Sequence, residues 1–306
     1  MVFRYTYSNG AWIDLENPTE DEVRSIAKEF SIGERLQMEL HTPTLTPLVI
    51  NDTGATFLIL HFPTHGAGDG EIRDQEIDFV IGDSFIITVR YEVIAPLHRL
   101  KKLLETQQFI SPRETITTEM LLEVLFAHLY TSVRDHVSHT ASRLTHVEHD
   151  MFHGAERTTV RLISNLSREF LHIEASLADQ EEPLNRFLKA LTVRRSFKTS
   201  FAEYAERILA EHTQVARLVA TYRAVATELR ETNATLLEVR QNDIMKTLTV
   251  ITFIMLPLEL TTFIFGMHAL GTPLEDNPNA FWIIITLMLG IGTLMVAFLA
   301  RKRWLF

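Results

Sequence analysis

Glu259 is the residue on which any chemistry of this chain turns, because it is the one charge in the apolar run 247–267, TLTVITFIMLPLELTTFIFGM. An ionised carboxylate turned to lipid at that depth costs about 3 kcal/mol on insertion scales, so its side chain is expected to meet water or a cation. The alternative is a protonated carboxyl bonded across helices. Glu259 also belongs to a register. Asn242, Met245, Thr249, Thr252, Leu256, Glu259, Phe263 and Gly266 follow one another at alternating steps of three and four, which draws a single stripe along a helix. The stripe carries an amide, two hydroxyls and a carboxylate. A ring of such carboxylates attracts cations and rejects anions. Two apolar helices per chain cannot enclose a water-filled path, so this chemistry requires several copies around an axis.

A second candidate is a histidine face. Of the 13 histidines, His136, His139, His146, His149 and His153 share one predicted helix. His146, His149 and His153 lie at i, i+3 and i+7 with Asp150 beside them, a spacing that can hold zinc. The alternative is a solvated polar face. With no cysteine in the chain, disulfides and thiolate metal sites are excluded. The net charge of −10 argues against a nucleic-acid partner and suits a protein that gathers cations. The run GAGDG at 66–70 lacks the GK[ST] ending of a phosphate loop. No Ser/His/Asp or paired-carboxylate pattern stands out, so neither an enzyme nor a bound cofactor is expected.

These residues need elements to position them. Residues 1–118 read as a mixed α/β domain. WIDL (12–15), PLVI (47–50), TFLILHF (56–62), IDFVIG (77–82) and SFIITVR (84–90) are strand patterns. The segment from Asn17, NPTEDE, supplies a cap and an acidic first turn for a helix through about Phe30. Residues 119–246 read as a helical stalk. One helix is expected over 117–153, broken by Gly154, and a second over 155–193, with a kink at Pro183. A third starts near Ser200, with apolar positions at Phe201, Tyr204, Ile208, Val215, Leu218, Tyr222, Val225, Leu229, Leu236 and Val239. Nothing interrupts its passage into the apolar run, so one helix of about 100 Å is expected to leave the cytoplasm and enter the membrane.

Residues 247–267 and 280–300 are each about 30 Å long as helices, the thickness of a bilayer core. Lys246, Arg301, Lys302 and Arg303 flank them on one side. The linker 268–279 carries Glu275 and Asp276 and no Lys or Arg. The positive-inside rule puts both termini and the basic tail 301–306 in the cytoplasm and the linker outside. Trp282 and Trp304 sit at opposite ends of the second span, as interfacial indoles do. The N-terminal residues show no signal-peptide pattern, so an inner-membrane, multi-pass protein is expected.

The segments NDIMKTLT from Asn242, Leu256-Pro257 and Phe265-Gly266-Met267-His268 resemble the first span and signature motif of the CorA-type divalent metal (magnesium/cobalt) transporters. The short outer loop and the closing RKRWL (301–305) are similar too. The resemblance covers the whole chain and is strongest over 240–306. It implies an α+β membrane protein that forms a homopentameric funnel, with a central pore lined by the first span and Mg2+, Co2+ or Zn2+ as transported or regulatory ions. It also implies that Gly266, Met267 and His268 ring the outer mouth. The family motif ends in Asn where this chain has His268. An amide oxygen suits the water shell of magnesium, whereas an imidazole suits zinc, nickel or cobalt. A magnesium or cobalt channel, a zinc or other transition-metal transporter, and a non-conducting membrane scaffold all remain compatible with these residues.

Overall fold

The computed structural model describes residues 1–8, 10–52, 54–65, 72–110, 116–194, 197, 201–267 and 278–302. It divides into two compact units, Met1–Arg230 and Glu231–Phe306. The glycine run 66–70 and His268 lie outside the described residues.

The first unit is built on a six-stranded sheet of order β1-β2-β6-β5-β4-β3. Its strands are β1 (Val2–Tyr7), β2 (Gly10–Glu16), β3 (Leu48–Asn51), β4 (Thr56–His65), β5 (Ile72–Ile81) and β6 (Phe85–Arg90). β2 and β6 run parallel; the other neighbouring pairs are antiparallel. The sheet is covered on both faces, which is why β6 reads FIITVR without polar alternation and is buried throughout. On one face Ile13, Leu15, Phe57, Ile59, Val80, Ile87 and Val89 meet Val23, Ile26 and Leu36. Those last three come from α1 (Glu20–Glu29) and α2 (Glu34–Glu39). On the other face Phe79 stacks on Phe126 at 5.0 Å and Phe62 meets Tyr130 at 5.7 Å.

Three elements carry no strong sequence signal and were not anticipated: β1, α2 and α3 (Ala95–Ile110). β1 depends on a tight return into β2, where Gly10 is obligatory, since a Cβ there would lie 2.1 Å from the Ser84 carbonyl oxygen. α3 delivers Lys101 to the fully buried Asp14, which also accepts from Arg90 at 3.1 Å and from Thr88 at 2.6 Å. The cap that this segment supplies to α1 is Thr19. Its hydroxyl accepts from the Glu22 amide, and the Glu22 carboxylate accepts in return from the Thr19 amide.

The long helices fall where the pattern puts them: α4 (Thr118–Phe152), α5 (Glu156–Val193), α6 (Phe201–Gly266) and α7 (Ala280–Arg301). Gly154, at φ 96°, makes the turn from α4 to α5. Pro183 sits inside α5 without ending it. α4 packs on the sheet, and the α/β part and the helices through Arg230 form one compact unit. The inward positions of α6 there are Phe201, Ala205, Ile208, His212, Val215, Val219, Ala226 and Leu229. Small Ala205 and Ala226 lie inside while Val225 faces out, because close helix packing selects by position rather than by hydrophobicity alone.

Glu169 of α5 binds α4. It accepts from Thr140 at 2.6 Å and Arg143 at 3.0 Å and lies 3.2 Å from the His136 ring. Burial alone would raise its carboxyl, but His136, Thr140 and Arg143 overcome that and hold it at about 2, below its ordinary 4.5. A carboxyl depressed in the folded state stabilises above its ordinary value and loses that contribution as pH falls. The full chain in detergent should therefore lose stability as pH drops from 4.5 toward about 2. Glu169→Gln should be less stable at neutral pH and show a shallower acid loss by circular dichroism. An unchanged acid profile in the variant would contradict this role.

Candidate functional site

The second unit holds α6 from Glu231 onward and α7. Both helices contain windows apolar enough to cross a membrane, with mean hydropathy 2.0 and 2.5. Only 11% and 6% of those windows is buried within the chain, so neither is the core helix of a soluble fold. In this unit the covered or half-covered side of α6 carries Val250, Ile254, Leu258, Thr261 and Phe265. α7 meets that region: the Thr262 hydroxyl lies 3.9 Å from the Met288 sulfur, and Leu258 lines an apolar groove with Ile285, Met288 and Val296.

The candidate stripe lies on the other side of the helix. Asn242, Met245, Thr249, Thr252, Leu256, Glu259, Phe263 and Gly266 are all exposed. The steps of three and four that set them apart in sequence keep all eight clear of α7. The hydroxyls have a defined polarity. Thr249 donates to the Met245 carbonyl at 2.8 Å and Thr252 to the Leu248 carbonyl at 2.9 Å. With each hydrogen committed to the helix, the outward lone pairs of the oxygens can only accept. A face of hydroxyl acceptors with a carboxylate toward its C-terminal end suits a cation better than an anion. At Gly266 a Cβ would meet no atom within 4 Å, so the backbone there stands open beside the exposed Met267.

The histidine face is not assembled into a ligand set. His146 and His153 turn Nδ1 to the Ser142 and His149 carbonyls at 2.8 and 2.7 Å, and His149 stacks on His153 with ring centroids 4.0 Å apart. Asp150 is 3.7 Å from the His149 ring. Among the described residues no group of three or more His, Asp or Glu side chains converges as a metal site. The spacing does place these side chains on a shared surface, where backbone bonds fix the Nδ1 atoms of His146 and His153 and ring stacking pairs His149 with His153. His136 belongs instead to the Glu169 network.

A large α/β unit preceding two uncovered apolar helices defines a two-span membrane protein. A profile of the family described as CorA-like Mg2+ transporter protein matches residues 8–302, and the chain belongs to that family. It is accordingly a transporter-family protein and not an enzyme. The chain is 26% identical over 302 residues to the cobalt/magnesium transport protein CorA of Methanocaldococcus jannaschii, covering 96% of this chain and 91% of that protein. It is 19% identical over 304 residues to the protein of the same description from Thermotoga maritima, covering 97% of this chain and 84% of that one. Among solved structures, the complete CorA magnesium transporter of M. jannaschii is similar, with a TM-score of 0.82 at 22% identity over 98% of this chain and 93% of that one. The cytoplasmic domain of ZntB from Vibrio parahaemolyticus shares the fold over 76% of this chain and 89% of its own, with a TM-score of 0.62 at 11% identity.

Proposed function

We propose that the chain is one subunit of a homopentameric channel for divalent metal cations, of magnesium/cobalt type, in the inner membrane. The spans are α6 and α7, with both termini cytoplasmic and residues 268–279 outside. α6 lines the central pore with Asn242, Met245, Thr249, Thr252 and Glu259, and Gly266, Met267 and His268 form the outer mouth. The observation that carries this reading is the stripe itself: polar, acceptor-only at its hydroxyls, and uncovered on the side of α6 away from α7. One chain leaves it exposed to lipid, and copies around an axis remove that penalty. The described function of the M. jannaschii relative points to magnesium or cobalt as cargo.

Glu259 supplies the charge, so Glu259→Gln keeps the shape and removes the attraction. In proteoliposomes this should lower divalent cation flux by about tenfold, the scale of one charge–cation contact in a water-filled path. Unchanged flux and selectivity would remove Glu259 from the conducting path.

His268 supports a second reading, a zinc or other transition-metal transporter on the same scaffold. The sequence has an imidazole where the family motif has an amide, and neutral imidazole ligates zinc, nickel and cobalt better than magnesium. Protonation near pH 6.5 would place positive charge at the mouth. Flux should then fall as external pH drops below about 6, and His268→Asn should abolish that fall and raise the magnesium-to-zinc ratio. Superimposable pH curves with unchanged ratios would exclude the residue from selection.

A further inference from the structure

The first unit carries a group of ionisable side chains that the transport reading does not use. Along β5 the alternation of a strand puts Asp74, Glu76 and Asp78 on one face. The β4 register sets Pro63 opposite Asp74, His61 opposite Glu76 and Ile59 opposite Asp78. Carboxylates seldom enter such a sheet interior, yet Glu76 is 8% exposed and Asp78 is fully buried.

Their hydrogen bonds are specific. One Glu76 oxygen, Oε2, accepts from the Thr44 amide at 2.6 Å and lies 3.2 Å from His61 Nε2. His61 Nε2 is 2.8 Å from the Thr44 carbonyl oxygen, a pure acceptor, so the ring proton is on Nε2. Asp78 Oδ2 accepts from the Tyr91 hydroxyl at 3.1 Å. That leaves Glu76 Oε1 and Asp78 Oδ1, both buried and without a hydrogen-bond partner, on carboxyls two residues apart on one face of the strand. Two adjacent buried carboxyls whose partners include no lysine or arginine cannot both stay ionised. Asp78, fully buried with a single hydroxyl donor, is the member that keeps its proton.

We propose that Glu76 and Asp78 share one proton at neutral pH and, with His61, form a pH-sensitive latch that holds the segment 41–47 against the β4–β5 face. The proton sits on Asp78 Oδ1 and is donated to Glu76 Oε1, and the pair carries a single negative charge. The remaining ionisable neighbours reinforce it. Glu39 of α2 adds negative potential at Asp78. Asp74 does so at His61 and is itself met by His172 and Ser176 of α5 at 3.2 and 3.0 Å. Glu92 and Asp179 line the cavity of about 350 Å3 beside Thr44, His61 and Glu76. Burial, then the charge of Glu76, pushes the Asp78 carboxyl well above the usual carboxylate range. At His61 burial opposes protonation, but Glu76, the Thr44 carbonyl and Asp74 outweigh it and raise the ring above its ordinary value.

Both shifts have the same consequence. A group that binds its proton more tightly when folded contributes stability that is lost as pH rises through its folded value. When Asp78 releases its proton, two adjacent buried carboxylates repel. The nearest relief is for Glu76 to turn into the adjoining cavity, which breaks its bond to the Thr44 amide and frees the segment.

Backbone hydrogen exchange of the full-length protein in detergent tests this. After correction for intrinsic exchange, protection of the Thr44 amide should fall as pH rises above neutral, by at most tenfold per pH unit for one proton. Asp78→Asn keeps a donor to Glu76 and removes the Asp78 titration, so its protection should fall less steeply with pH than the wild type's, with only the His61 share left. Infrared spectroscopy supplies a readout independent of that variant's stability: the wild type should show a protonated-carboxyl band at neutral pH that disappears as pH rises. PH-independent protection in the wild type, the wild-type slope in Asp78→Asn, or no protonated-carboxyl band would each overturn the latch.

Discussion

A carboxylate cannot remain ionised against lipid without a large penalty, and that constraint on Glu259 organises the membrane unit. The residues between Asn242 and Gly266 serve two opposite requirements on one helix. Val250, Leu258, Thr261 and Phe265 form the more covered side, while Asn242, Thr249, Thr252 and Glu259 are uncovered on the other. The alternation of three and four keeps the two sides from mixing over about 35 Å of helix. The threonines sharpen the division. By donating into their own helix they cease to be donors to anything else, and a donor-poor, oxygen-rich face is the surface a dehydrating cation requires.

The soluble unit solves a different problem with similar means. Its sheet buries charge on both faces, and each buried charge is met by several partners: Asp14 by Arg90, Lys101 and Thr88, and Glu169 by His136, Thr140 and Arg143. Such sets stabilise only when complete. The Glu76–Asp78 pair departs from that rule, since its partners include no lysine or arginine. Under the proposed latch a proton takes the place of the missing cation, which ties the neutrality of that interior to the surrounding pH.

What the sequence made legible follows from how local each signal is. The helices α4, α5, α6 and α7 were readable to within a residue or two because Gly154, the helical periodicity and the apolar runs are local features. The strands β3 to β6 were readable for the same reason. β1 was missed because its pattern, eieBeB in burial, leaves one side open and needs β2 to complete it. The shared direction of the stripe positions was legible, since a helix converts spacing directly into direction. The histidine face was legible as a surface but not as a site, because i, i+3, i+7 spacing sets direction and not what each ring nitrogen binds. The Asp74, Glu76, Asp78 alternation was the available signal for the buried acids. It resembled a solvent-facing strand, and only the second layer formed by α1, α2 and the segment 41–47 turns that face inward.

The central claim is that the uncovered stripe of α6 lines a water-filled path. The chain contains no cysteine, so single cysteines can be placed along 242–266 without a background. Flux through proteoliposomes would be measured before and after a charged, membrane-impermeant thiol reagent. The account predicts block at Thr249, Thr252, Leu256 and Phe263, with the three-and-four period of the stripe, and little effect at Val250, Ile254, Leu258 and Phe265. Block that follows the α7-facing positions, or no periodicity at all, would contradict it.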